Sequence, residues 1–521
     1  MERHGSESYF VIGEGMLGET VGGRSPAFAV RRAGATASAA AAPPFRFSRM
    51  GPKGTGKQLG DSTLKKLGQA MIGGGSHGRL PAGYTYLGQF VDHDLTFDKT
   101  DVMLGEHVSA AELRQGRSPS LDLDNLYGAG PDDPGSEKFY EADGIHLKMG
   151  KTTPAGGLGV LDGFDLPRGA GSNAAARRRA IIPDKRNDEN LAVAQTHLAI
   201  IRFHNRVVDT LPASVPPSQR FARARRLVTR HYQWMLRTDY LPRICAPGVV
   251  SNVFAGGRRA FEQNVSPMDT PTMPIEFSVA AFRFGHSMVR AAYNWNKAFD
   301  DGFGTLDWLF IFSGLSGNLG GNQRLASDWT ADFRRLYDFK EAGRQNLAVP
   351  ENKFNRAMRI DSSLVNPLAT LPGFPAAEDN LAQRNLIRAK MVTLATGQQM
   401  ARFMRNKGVS VTTLTDRQIR EGRGGAGLDG LTQAQRRAVV RDTPLWFYIL
   451  REAEFNRGKL KGVGARIVAE TFHRAIEGSR ESIVRDPAWR PSLGPDNRTF
   501  RMVDLLLFAF RGRKNLLAPV G

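Results

Sequence analysis

Tyr86-Leu-Gly88-Gln89-Phe-Val-Asp92-His93-Asp94-Leu-Thr-Phe-Asp98 is the stretch around which the chain is organised. Read as a helix, it sets Gln89, Asp92 and His93 at i, i+3 and i+4 on one face. Asp94 follows His93 directly and so projects roughly 100° away around the axis. One turn thus aims an amide, a carboxylate and an imidazole into one site and sends a second carboxylate elsewhere. Two adjacent sites are the expectation.

The surrounding chain bounds what those sites can be. At 521 residues it is long enough for one large domain or for two to four average ones. Its hydrophobic fraction of 41% and charged fraction of 23% are those of an ordinary globular protein. No run of 18 or more apolar residues is present, so no transmembrane helix is read. Cys245 is the one cysteine, which rules out an intrachain disulfide and cysteine-rich metal sites. Set in an apolar stretch, it reads as a small buried hydrophobe. The formal net charge is +20, which can favour anionic partners. The basic residues are dispersed, however, with many arginines on helices such as 218–230. Solvated helix faces are the better reading, and no specific nucleic-acid partner is expected.

In chain order, residues 1–50 read as an extended or flexible N-terminal arm. Its start is not strongly basic and its Ala patch is weakly apolar, so no clear cleavable signal is present, and Arg31-Arg32 does not make one. This leaves the compartment open between the cytoplasm and export by another route. Gly51-Pro-Lys-Gly-Thr-Gly56-Lys57-Gln58 is a near miss to a phosphate-binding loop, with Gln58 where Ser or Thr is required, and reads as a surface loop. A short helix is expected within 61–78. Ser118, Ser120, Asp122 and Asp124 alternate oxygen-bearing side chains in a way that suits a hard cation. On its own an Asp-rich turn is the preferred reading.

Further on, Arg186 and Glu189 stand at i, i+3 before the strongest helix, 191–211. Capping and ion pairing is their ordinary explanation. His197 and His204 within that helix read as core or hydrogen-bonded residues. Another helix is expected over 219–239. In 277–290 an apolar helix carries His286 with Arg283 at −3 and Arg290 at +4. Helices are also expected around 380–405, at 444–456 and 459–477 as amphipathic elements, and at 500–511. There is no tandem repeat and no long linker. The fold class expected is mainly α, one large helical domain over 51–521 with long loops and few short strands.

Taken together, these motifs resemble the animal-type haem peroxidases of the peroxidase–cyclooxygenase superfamily, including their bacterial members. Gly88 to Asp94 match the family's Gly-Gln-x-x-Asp-His-Asp pattern, and the resemblance runs in order to about residue 405. It implies His93 as distal base, Gln89 as its polar neighbour, Arg186 as distal arginine and His286 as proximal iron ligand. It also implies Arg283 near a haem propionate, and Asn385, in the pattern Asn385-Leu-Ile-Arg388, as the partner of the proximal histidine. Asp94, Ser118, Ser120 (by its carbonyl), Asp122 and Asp124 become calcium ligands, which reverses the bland reading of that turn. Asp92 and Glu189 stand where mammalian members form ester bonds to haem. Asn190 replaces the methionine that one of those members links to haem as a sulfonium, so no such bond is expected.

The implied cofactors are haem b, or an ester-linked derivative, and Ca2+. The implied activity is reduction of hydrogen peroxide with oxidation of a halide, thiocyanate or small organic donor through a ferryl intermediate. A fatty-acid dioxygenase of the same superfamily is the near alternative. Those enzymes use a tyrosine three residues before the proximal histidine, where this chain has Arg283. A non-catalytic haem- or calcium-binding protein is the other, and His93 together with Arg186 speaks against it.

Overall fold

The motif of residues 86–98 lies on a helix, α2, spanning Gly83–Leu95 in the computed structural model. The structure describes residues 45–521 apart from Lys57. Before residue 45 it describes only the strand segments Arg3–His4, Phe10–Val11 and Glu14–Met16. The N-terminal arm, Arg31-Arg32 included, therefore lies largely outside the described residues, as does Lys57 of the near-miss phosphate loop. The fold is mainly helical, with strands only as short two-stranded pairs. Among the described residues no helix is long and apolar enough to cross a membrane.

Almost every residue of α2 is buried, Asp92 being the exception. A helix so enclosed needs close neighbours, and its glycines supply the room. A Cβ at Gly88 would collide with the Tyr240 hydroxyl, and one at Gly83 with the Tyr337 ring. Around α2, the longer helices are α1 (Asp61–Ala70), α3 (Leu191–Asp209), α4 (Pro217–Met235), α5 (Pro247–Gly256), α6 (Leu381–Met391), α7 (Gly397–Asn406), α8 (Leu445–Glu454), α9 (Gly462–Glu477) and α10 (Met502–Ala509). Helix α3 packs on α2, and α4 and α10 pack on α3. Asn190 caps α3 by accepting the Val193 N–H at 2.9 Å. Helix α4 begins with Pro217 at its first position, where a missing N–H costs nothing. It runs into a π-helical turn at Leu236–Tyr240. Pro242 follows, and a proline ring clashes with the carbonyl four residues back, which is why the helix widens there.

Two expectations change with the structure. The stretch 277–290 is not one α-helix: a short turn, Ile275–Ser278, precedes a 3-10 segment, Ala281–Met288. In 3-10 geometry side chains at i and i+3 eclipse, so Arg283 and His286 stand in line. The segment ends at Met288, so Arg290 leaves the site and donates to the carbonyls of Ala292 and Arg356. Helices α8 and α9 are also not amphipathic. All of α8 is buried, as is nearly all of α9. Their charged residues pair internally: Arg451 donates to both Glu454 oxygens at 3.0 Å, and Arg466 to Glu470.

The arginine excess, expected on solvated faces, is divided: Arg223 and Arg226 of 218–230 are exposed as expected, while others lie in the core. Arg186, Arg334, Arg335, Arg384, Arg451 and Arg474 are all buried, and from 218–230 Arg226 and Arg230 pair with Glu481. A guanidinium presents five donors in a fixed fork, which lets arginine satisfy carbonyls and carboxylates inside a large helical core. Cys245 is fully buried, as expected.

Candidate active site

The segment Ala281–Met288 packs against α2, α8 and α9, so the two motifs face each other across the core. One cavity between them is lined by Gln89 and Asp92 from α2, Tyr240 from the π turn, and Arg283, Gly285 and His286. A Cβ added at Gly285 would meet nothing, which marks open space beside the histidine. A second cavity adjoins it, bordered by Asp92, Arg186, Arg283, Arg388, Val279 and Met391. Asp92 and Arg283 belong to both walls. Three guanidinium groups thus rim a cavity whose other walls include apolar side chains.

His93 is fully buried and lies within the wall. Its Nδ1 is 2.9 Å from Asn187 Oδ1. An amide oxygen can only accept, so Nδ1 carries the proton and Nε2 keeps its lone pair. That Nε2 makes no hydrogen bond and stands 3.5 Å from Glu189 Oε1. Gln89 donates to Glu189 and accepts from Asn190 Nδ2 at 3.0 Å. Arg186 is gripped on one edge. Its Nε and Nη2 donate to Asp184 at 3.0 and 2.7 Å, and Nη2 also reaches the carbonyls of Thr96 and His93 at 2.7 and 3.1 Å. Burial alone would raise the Asp184 carboxyl, but the guanidiniums of Arg186 and Arg117 hold it well below the usual carboxylate range. The polar run from Asp184 to Asn190 therefore does more than start a helix: it fixes the arginine, the histidine and the glutamine at once.

On the other side, His286 Nδ1 lies 2.8 Å from the terminal amide of Asn385 on α6. The Asn385 Oδ1 as drawn has no partner. Turning the amide over lets Oδ1 accept from Nδ1–H, which satisfies the Asn385 oxygen and places the ring proton on Nδ1. The Trp446 ring, edge-on with centroids 6.3 Å apart, packs against the imidazole. Arg283 donates through Nε to the Ser278 carbonyl at 2.7 Å.

The stretch 118–124 is arranged differently. Asp94, fully buried, accepts from the backbone N–H groups of Leu123 and Asn125 at 3.3 and 3.5 Å. Burial first, and then the charge of Asp124, push its carboxyl well up. Asp122, however, accepts from the Arg480 N–H, and the Ser120 hydroxyl donates to the Gly478 carbonyl. Ser118 is buried nearby in sequence. Among the described residues no group of three or more His, Cys, Asp or Glu is placed to hold a metal ion. Asp94, Asp122 and Asp124 lie close enough that Asp124 raises the carboxyls of the other two, which suits a cation in charge, and no step below uses calcium.

Comparison with known proteins agrees with the site's composition. The animal haem peroxidase family profile matches residues 106–307, a span that holds Arg186, Glu189, Arg283 and His286. Over that span the chain is similar to the animal haem peroxidases. A peroxidase-like protein of Margaritifera margaritifera is 32% identical over 114 residues, covering 21% of this chain and 14% of that protein. Rat thyroid peroxidase is 28% identical over 205 residues, 35% of this chain and 20% of its own length. The chain thus spans a fifth or less of those relatives' length. In fold, it resembles peroxidase A of Dictyostelium discoideum (TM-score 0.58, 16% identity, covering 92% of this chain and 95% of that one). A fatty acid alpha-dioxygenase of Arabidopsis thaliana gives a TM-score of 0.54 at 11% identity, covering 91% and 78%.

Asn187, Asp184, Tyr240 and Trp446 were not singled out from the sequence. Only Asn187 and Asp184 carried a signal, as polar residues flanking Arg186 just before a strongly apolar helix.

Proposed function

We propose that this protein is a haem peroxidase, reducing hydrogen peroxide at the expense of a halide, thiocyanate or small organic donor. The observation that carries the reading is the pairing of two buried histidines with fixed ring protons, His93 through Asn187 and His286 through Asn385, on elements that face each other across a cavity rimmed by arginines. These residues fit a haem. Arg283 and Arg388 match its two propionates in charge, His286 Nε2 suits its iron, and the open space at Gly285 lies beside that ligand. When bound, the haem would supply a redox-active iron that passes electrons from the donor to the peroxide.

The chain's own residues have narrower tasks. His93, with its ring proton directed to Nδ1 by Asn187, uses Nε2 to take a proton from one peroxide oxygen and return it to the oxygen that leaves as water. Arg186, locked by Asp184, holds positive charge beside the breaking O–O bond. Gln89 is held between Glu189 and Asn190 and keeps a polar group at the cavity wall. Asn385 holds the ring of His286 and raises its basicity toward the metal. Asp92 and Glu189 are the acids suited to ester attachment, with Asp92 on the cavity wall. Arg283 in place of a tyrosine speaks against a radical-based dioxygenase.

The test is peroxide-dependent oxidation of guaiacol by the haem-loaded protein, alongside a His93→Ala variant. Turnover lost by about 100-fold or more in the variant is expected, the usual worth of a positioned acid–base group. A fully loaded protein without peroxide-dependent turnover would overturn the reading. Persistence of the Soret band after acid–organic extraction would establish covalent attachment.

A further inference from the structure

Helix α4, the turn that follows it, α5 and residues 483–498 border a surface cavity of about 540 Å³ that shares no lining residue with the two cavities described above. Its apolar walls are Trp234, Phe254, Ile483 and Val484, and its polar walls include Arg237, Arg490 and Arg498. Trp234 is 9% exposed, and its indole N–H donates to the Arg498 carbonyl at 3.1 Å, which fixes the ring. Two guanidiniums share that ring: Arg490 at 5.8 Å and Arg237 at 6.0 Å from its centroid. Arg237 also lies 5.1 Å from the Phe254 ring.

The neighbouring acids are engaged elsewhere. Asp239 pairs with Arg243, and Glu481 and Asp486 pair with Arg230. Among the described residues no carboxylate forms an ion pair with Arg237 or Arg490, whereas Asp496 accepts from the Arg498 N–H and feels its charge. Burial, and then the charge of Arg490, push the Arg237 pKa down, as expected of a cation held near another without a counter-ion. Cation–π contact offsets only part of such a cost. Arg490 donates to the carbonyls of Pro487 and Trp489 at 2.7 and 2.8 Å, contacts that hold its guanidinium in place without neutralising its charge. An anion would relieve it, and the aromatic walls would accept an apolar body attached to that anion.

We propose that this cavity is a binding site for small organic anions with a flat apolar body, of which aromatic carboxylates are the type. The carboxylate is held between Arg237 and Arg490, and the ring lies against Trp234, Phe254 and Ile483. Neither half suffices: an inorganic anion lacks the body, and a neutral aromatic lacks the charge. The inference is independent of the peroxidase reading.

The experiment is titration calorimetry of the full-length protein with three probes: 2-naphthoate, 2-naphthalenemethanol and inorganic phosphate. The expected result is saturable binding of 2-naphthoate, with the other two at least about tenfold weaker, a difference of about 1.4 kcal/mol. Arg237→Gln and Arg490→Gln should each weaken 2-naphthoate by about tenfold or more. Arg490 is exposed, so its replacement leaves the fold intact even if the Arg237 variant is unstable. No binding of 2-naphthoate at millimolar concentration would overturn the proposal, as would equal affinity in the wild type and Arg490→Gln, or phosphate binding as tightly as 2-naphthoate.

Discussion

Asn187→Ala removes the oxygen that stands 2.9 Å from His93 Nδ1, and both residues are fully buried. The imidazole then has two courses. It can keep its proton on Nδ1 with no acceptor, at a cost of about 1–3 kcal/mol for an unpaired buried donor. Or it can move the proton to Nε2, where Glu189 Oε1 stands 3.5 Å away to receive it, and lose the lone pair that accepts the peroxide proton. Either course reaches the proton-transfer step with a penalty of that size. At about 1.4 kcal/mol per factor of ten, the second-order rate with peroxide should fall roughly 5- to 150-fold. The assay is stopped-flow absorbance at the Soret band against peroxide concentration, with haem content per chain measured on the same sample. Haem content should not change, because His286, Arg283 and Arg388 are untouched. A peroxide rate within about twofold of wild type at full haem occupancy would refute the role assigned to Asn187.

Asn385→Ala leaves His286 Nδ1 without its partner and should weaken haem binding about 10- to 100-fold, read by titrating haem into the apoprotein. Arg451→Met strands the buried Glu454 carboxylate. It should cost about 3–5 kcal/mol, and an unchanged denaturant midpoint would contradict the pairing. Burial pushes Glu452 on α8 up to about 8 from the ordinary 4.5. The folded chain thus keeps a proton that the unfolded chain has lost, so stability from this group is full below about pH 4.5 and declines as pH rises to about 8. Glu452→Gln should remove that decline, with urea midpoints at pH 5, 7 and 9 showing a widening advantage for the variant. Parallel midpoints would show that Glu452 does not hold its proton.

Much of the helical frame was legible because it rests on local signals. The run 191–211 is apolar at helical spacing and has Asn190 before it, and it forms Leu191–Asp209. The grouping of Gln89, Asp92 and His93 followed from spacing within one turn. The geometry at His286 was not legible, because a 3-10 segment and an α-helix differ by one hydrogen-bond step that apolar spacing does not report over eight residues. The polarity of α8 misled for a different reason. Arg451 and Glu454 look like a solvated face in sequence, and only the fold shows that they satisfy each other inside the core. Asn187 and Trp446 depend on contacts with residues more than ninety positions away, for which one sequence holds no spacing rule.

The candidate site is also a problem of timing. The N–H of Met50 is satisfied by Glu276, 226 residues later, and the ring of His286 is held by Asn385 and Trp446. At a synthesis rate of about 5–20 residues per second, roughly 15–60 s separate the emergence of His93 from that of Asn385. During that interval α2 has its polar face made and its apolar surroundings missing. A nascent chain in this state exposes surface that must be shielded from other chains. A cofactor seated between the two histidines could be captured only after most of the polypeptide has left the ribosome, which would put loading late in the making of this protein.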